Sequence, residues 1–111
     1  MKVCLIGYGK MGKTIEQILL QRSHEISGRI DHSNEPTLSE VLKSSDVAIE
    51  FTRPDVAINH LKLCFDCNVP VICGTTGWLA QWDEIQDYLK IKNASMIYAS
   101  NFSVGASFLC V

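Results

Sequence analysis

The sequence predicts an α/β domain, a Rossmann-like doubly wound parallel sheet, and three observations carry that expectation. Apolar runs at 2–6, 26–31, 46–51, 69–73 and 94–99 alternate with helical patterns at about 10–22, 37–44, 54–68 and 79–91, with a further helix start near 104. That alternation is the mark of parallel strands joined by crossover helices. The first run empties directly into Gly7-Tyr8-Gly9-Lys10-Met11-Gly12, a G-x-G-x-x-G turn between a strand and a helix. The segment 32–45 has room for one short helix, so the strand at 46–51 is expected to cross back beside the first, giving the order 2-1-3-4-5 by right-handed crossovers.

Each element has its own local reason. In the glycine turn, Gly7 permits the tight bend, Gly9 lets a pyrophosphate approach the backbone, and Gly12 lets helix and strand pack closely. Met11, Ile15, Ile18 and Leu19 then recur at helical spacing on one face. Thr37-Leu38-Ser39-Glu40 has the form of a capping box. Pro54 suits a first helical position, where its missing N–H is no loss, and Pro70 suits the first residue of a strand. Trp78, Trp82, Ile85 and Leu89 mark a helix face packed on the sheet rather than a platform for stacking bases.

Composition narrows the function. A chain of 111 residues with 47% hydrophobic and 20% charged residues is expected to form one ordinary domain over 1–111. A net charge of −2 leaves no basic footprint for nucleic acid or an anionic membrane. No run is long enough for a spanning helix, and the first strand is too short for a signal peptide, so a cytoplasmic protein is expected. Five cysteines, at 4, 64, 67, 73 and 110, read as reduced, packed thiols. The C-x-x-C at Cys64 and Cys67 falls at a helix end, where the macrodipole opposes a thiolate, and no second Cys/His pair completes a zinc site.

The candidate site lies where loops leave the carboxyl ends of the strands, at the switch point between strands 1 and 3. Four segments should converge there: Gly7–Gly12, Phe51-Thr52-Arg53-Pro54, Gly74-Thr75-Thr76-Gly77 and Ser100-Asn101-Phe102-Ser103-Val104-Gly105. Asp31 follows Gly12 at the spacing of the carboxylate that receives the adenosine ribose hydroxyls. A carboxylate there repels a 2′-phosphate, so NADH is favoured and NADPH possible, with Lys10, Lys13, Arg29 and His32 as cations that soften the preference. Thr75, Thr76, Asn101 and Ser103 offer hydroxyl and amide groups to a carboxamide, a ribose or a carboxylate. His24 and His60 are expected away from this edge, in surface roles. No Ser-His-Asp pattern, H-E-x-x-H or P-loop lysine is present, so no catalytic acid, base or metal ligand is assigned.

Gly7–Gly12, Glu50-Phe51-Thr52-Arg53-Pro54, Gly74–Gly77 and Ser100–Gly105, in that order over almost the whole chain, resemble the N-terminal half of the 4-hydroxy-tetrahydrodipicolinate reductases of lysine and diaminopimelate biosynthesis. The resemblance implies nicotinamide-dependent reduction of a small cyclic dicarboxylate. It implies that the loop Gly7, Tyr8, Gly9, Lys10, Met11 and Gly12 holds pyrophosphate and Asp31 the adenosine ribose. Phe51, Thr52 and Arg53 then flank the cofactor. Gly74 and Thr76 border the nicotinamide, Thr76 reaching towards substrate, with Thr75 between them also binding cofactor, and Asn101 and Phe102 border the carboxamide. Family members are about twice as long, with a second domain that carries the proton donor, binds the carboxylates and makes the oligomer interface. The expectation is therefore a cofactor-binding half, its sheet incomplete at the C-terminal end and strand 94–99 left as an edge. Such a chain should be inactive alone and self-associate through Phe108, Leu109 and Val111. Two other readings are a non-catalytic NAD-sensing module and the N-terminal domain of another nicotinamide-dependent dehydrogenase.

Overall fold

The computed structural model describes residues 1–99 and 108–110. Among these, β1 (Lys2–Ile6), β2 (Glu25–Ile30), β3 (Val47–Glu50), β4 (Val71–Cys73), β5 (Met96–Ala99) and β6 (Phe108–Cys110) form one sheet in the order β2-β1-β3-β4-β5-β6. The first five strands are parallel, in the expected order, and each lies within two residues of its expected start. The connections are α1 (Lys10–Gln21), α2 (Leu38–Lys43), α3 (Pro54–Asp66) and α4 (Trp82–Lys92).

Residue parity sorts the sheet into two faces. Cys4, Ile6, Ala48, Val71, Cys73, Met96 and Tyr98 point to one side, where Leu38 and Leu42 of α2, Ala57, Leu61 and Cys64 of α3, and Ile85 and Leu89 of α4 complete the main core. Trp78 is buried in the same core, stacked on Trp82 with ring centroids 5.6 Å apart and edge-on to Tyr98 at 5.5 Å. The face marked by the two tryptophans is thus core packing, as its spacing suggested. On the opposite side Val3, Leu5 and Ile49 pack with Ile15 and Leu19 of α1. Cys64 is buried and Cys67, just past the end of α3, is half-buried, as the helical spacing of the pair implies.

Several local expectations need correction. The helix expected to start near 104 does not run through 108–110: those residues form β6, antiparallel to β5. Strand 94–99 is therefore not an edge, because β6 hydrogen-bonds to the groups an edge would expose. The C-terminal side chains on which self-association rested lie outside the described residues. On α1, Met11 and Ile18 are exposed while Ile15 and Leu19 are half-buried, so the covered stripe is narrower than the apolar one. The capping box does not form: the Thr37 hydroxyl donates to the Asn34 carbonyl at 2.7 Å because a 3₁₀ turn over Glu35–Thr37 leads into α2. Pro54 does open α3, and Pro70 stands one residue ahead of β4, its carbonyl accepting the Ala48 N–H at 2.9 Å.

Candidate functional site

The parallel ladder continues one residue past the strands and fixes the loops beyond it. Gly7 N–H donates to Ile30 O at 2.7 Å, Phe51 N–H to Ile6 O at 2.7 Å, and Gly74 N–H to Glu50 O at 2.8 Å. The starts of the first three loops singled out from sequence are therefore aligned on one edge. The first two border a cavity of about 580 Å³ at the β1/β3 switch point, lined among others by Gly7, Asp31, Glu35, Phe51, Thr52 and His60, whereas the Gly74–Gly77 loop does not line it. A volume of this order suits a small-molecule ligand. Asn101 and Phe102, with the rest of Ser100–Gly105, lie outside the described residues.

The three glycines of the first loop have separable reasons. Gly7 has φ +100, and a Cβ there would stand 1.8 Å from the Phe51 carbonyl oxygen. A Cβ on Gly12 would stand 2.6 Å from the Gly7 carbonyl oxygen. Both are required by the fold itself. Gly9 is different. Its φ of −93 and ψ of −151 are extended backbone open to any residue, and a Cβ would meet nothing within 4 Å. The protein leaves that space free at the N-cap of α1, where no side chain caps the helix. Free N–H groups beside an open volume are what an anionic group needs.

At the end of β2, Asp31 Oδ1 accepts the Ser33 N–H at 2.8 Å and the Ser33 hydroxyl, bonds that hold this exposed carboxyl below the usual aspartate range. Asn34 braces the turn, its Oδ1 accepting the Asp31 N–H at 2.8 Å and its Nδ2 donating to the Arg29 carbonyl at 2.8 Å. Of the cations near Asp31, Arg29 is paired with Glu16, which also accepts the Tyr8 hydroxyl at 2.9 Å. Lys13 sits over the Tyr8 ring at 5.8 Å, so Tyr8 is fixed between charges rather than left to swing over the cavity. Lys10, Met11 and Arg53 are exposed; of the three only Arg53 lines the cavity, and it pairs with Asp55 at 3.5 Å.

Sequence reasoning missed the most buried polar cluster. Glu50, at the end of β3, is 0% exposed, His60 3% and Thr75 4%. His60 Nδ1 lies 3.0 Å from Glu50 Oε2, and its Nε2 lies 2.9 Å from Glu35 Oε1. The hydroxyls of Thr52 and Thr75 both donate to Glu50. Thr75 Oγ1 in turn accepts the Thr52 N–H at 2.8 Å, and the Thr75 carbonyl accepts Trp78 Nε1–H at 2.7 Å. Burial disfavours a charged imidazole, but the hydrogen bonds the ring donates to Glu50 and Glu35, with the charges of those carboxylates, outweigh it and raise the His60 pKa. His60 is therefore neither distant from the edge nor a surface histidine. The Thr75 hydroxyl, read as a ligand group, is engaged inside the protein, whereas Thr76 is exposed at the loop. Among the described residues no buried side-chain oxygen or nitrogen lacks a partner, and no group of three or more His, Cys, Asp or Glu could hold a metal.

The family description "Dihydrodipicolinate reductase, N-terminus" matches residues 1–102. The chain belongs to this family. A 4-hydroxy-tetrahydrodipicolinate reductase of Christiangramia forsetii is 40% identical over 108 residues, covering 96% of this chain and 44% of the relative. One from Staphylococcus saprophyticus is 33% identical over 118 residues, covering 98% of this chain and 47% of the relative. The chain thus spans somewhat under half the length of the curated relatives it matches. Among solved structures, a dipicolinate-bound dihydrodipicolinate reductase from a Paenisporosarcina species aligns at TM-score 0.78 and 22% identity, over 95% of this chain and 49% of that one. A hyperthermophilic archaeal homoserine dehydrogenase in complex with NADPH aligns at TM-score 0.68 and 14% identity, over 86% of this chain and 42% of that one. At these identities the two structures speak for the shared Rossmann-like fold. No helix among the described residues is long and apolar enough to cross a membrane.

Proposed function

We propose that this chain is the nicotinamide-dinucleotide-binding domain of a 4-hydroxy-tetrahydrodipicolinate reductase and that its switch-point cavity is the cofactor site. The observation that carries the reading is Gly9: its lack of a side chain serves no packing or backbone need, yet keeps open the volume in front of the α1 N-terminus. A pyrophosphate there accepts the unpaired N–H groups of the first helical turn, with Lys10 adding charge at the helix start. Asp31 takes the adenosine ribose hydroxyls. Its Oδ1 is occupied by Ser33, leaving Oδ2 for the ligand. Phe51, Thr52 and Arg53 flank the dinucleotide, and Gly74 and the exposed Thr76 border the nicotinamide, Thr76 on the substrate side. Asn101 and Phe102 complete this reading from the sequence.

Bound nicotinamide dinucleotide supplies a hydride to a small cyclic dicarboxylate. The residues of this chain bind and orient the cofactor, and none is assigned as the proton donor or carboxylate clamp. The 111-residue chain by itself should therefore bind cofactor without turnover, since hydride donation without positioning and acid catalysis loses most of its rate. Asp31 favours NADH over NADPH, because a 2′-phosphate would meet its carboxylate, while Arg29 is already paired with Glu16 and Arg53 with Asp55. Titration with NADH and NADPH, followed by nicotinamide fluorescence, tests the reading. Saturable binding of NADH at least as tight as NADPH is expected; no binding of either removes the cofactor assignment.

A further inference from the structure

Below the cavity, one buried ring connects two parts of the site that are far apart in sequence. Glu35 sits on the turn that follows Asp31, on the adenosine side, with its side chain 39% exposed at the cavity rim. Glu50 is fully buried and bonded to both the Phe51–Arg53 and the Gly74–Thr76 loops, through Thr52 and Thr75. His60, on α3, lies between them, 2.9 Å from Glu35 and 3.0 Å from Glu50. A neutral imidazole has one N–H and can donate to one carboxylate only; a ring that donates to both is an imidazolium. Glu50 is then a buried carboxylate surrounded by donors: the His60 ring and the hydroxyls of Thr52 and Thr75. Those two threonines belong to different loops and are cross-linked by the Thr52 N–H to Thr75 Oγ1 bond.

We propose that His60 is a positioning residue, a charged strut that joins the adenosine-side turn at Glu35 to Glu50 and so holds the Phe51–Arg53 and Gly74–Thr76 loops in register for the nicotinamide half of the cofactor. The proposal rests on the cofactor reading above. Facing groups support it from every side. Glu50 comes from β3 and Glu35 from the turn before α2. The Cys73 thiol of β4 lies 3.8 Å from Glu50 and Cys64 lies on α3, both buried and protonated. Asp31, His32 and Arg53 line the cavity in front. The carboxylates nearest the ring make its raised pKa a consequence of the geometry. Loss of the proton leaves one of the two carboxylates without its donor, and the strut opens at one end.

The test compares the wild-type chain with His60→Gln and Glu35→Gln, measuring affinity for NADH and for ADP-ribose, which lacks the nicotinamide, across the pH range. Wild-type NADH affinity should fall as pH rises through the ring's pKa. His60→Gln should lose that step and bind NADH about tenfold more weakly, the loss expected for a charged hydrogen bond, with a much smaller effect on ADP-ribose. Glu35→Gln removes a partly exposed charge with little threat to folding, and should move the step to lower pH. One shared pH profile and one NADH to ADP-ribose ratio in all three proteins overturns the strut. The Thr52 amide gives a ligand-free readout: its hydrogen exchange should quicken in both variants, and unchanged exchange overturns the proposal even if no dinucleotide binds. Absence of dinucleotide binding by the wild type, with quickened Thr52 exchange in the variants, instead removes the cofactor reading and leaves the strut standing.

Discussion

Gly9→Val separates a glycine kept for the fold from one kept for a ligand. Its effect on folding follows from the backbone: φ is −93 and ψ is −151, and a Cβ meets no heavy atom within 4 Å. Losing a glycine N-cap for an apolar residue costs up to about 1 kcal/mol. Reducing the freedom of the unfolded chain returns roughly 0.4–1 kcal/mol. The net change should lie within about 1 kcal/mol, a shift in Tm of no more than a few degrees for a chain of this size. Binding is another matter. The isopropyl group would stand where pyrophosphate meets the helix N-terminus, and hydrogen bonds to a charged group are worth about 1.5–3 kcal/mol each. Losing two of them weakens the dinucleotide by at least about a hundredfold.

Gly7→Ala and Gly12→Ala are the controls, because there the added carbon falls 1.8 Å and 2.6 Å from backbone oxygens and should prevent normal folding. Circular dichroism and thermal melts report the fold, and fluorescence titration with NADH reports the site. A Gly9→Val chain that melts like the wild type and binds NADH equally well would refute the argument, since the open space in front of α1 would then not be the phosphate seat.

Asp31→Ala should weaken NADH more than NADPH in the same titration, because it removes the ribose acceptor and the repulsion of a 2′-phosphate together; equal losses would clear Asp31 of a role in selectivity. Trp78→Ala should destabilise by about 3–5 kcal/mol in urea melts, since a buried indole is lost from the main core together with its bond to the Thr75 carbonyl. Burial pushes the Cys4 and Cys73 thiols up to about 12 and raises Cys64 further, so a disulfide reagent at neutral pH should leave these three unmodified until denaturant is added. The raised His60 pKa sets a sign for stability: its contribution is complete below the unfolded value near 6.5 and is lost as pH climbs through the folded value, so the urea midpoint should decline over that window in the wild type and stay flatter in His60→Gln.

What the sequence made legible, and what it hid, divides along one physical line. Strand order, helix placement and the glycine turn depend on local period and on crossover geometry, and they emerge from residue spacing alone. The last strand did not, because β6 owes its conformation to the open edge of β5 rather than to any pattern of its own. The buried cluster is the instructive case. His60 shares its helix stripe with Ala57, Leu61 and Cys64, all buried, so spacing already placed it on the inner face of α3. Glu50 shares the parity of Ala48 on β3 and so had to point into the same core. Each looks like a misplaced polar residue when read singly, and a polar residue at a core position invites dismissal as surface chemistry. Read as a pair, they predict each other. A carboxylate forced into a core by strand parity needs a donor nearby, and a histidine forced inwards by helix period needs an acceptor. The chemistry hidden here was thus a matter of joining two periodicities of different pitch across a strand–helix turn, and the unpaired polar position on each was the signal to look for the other.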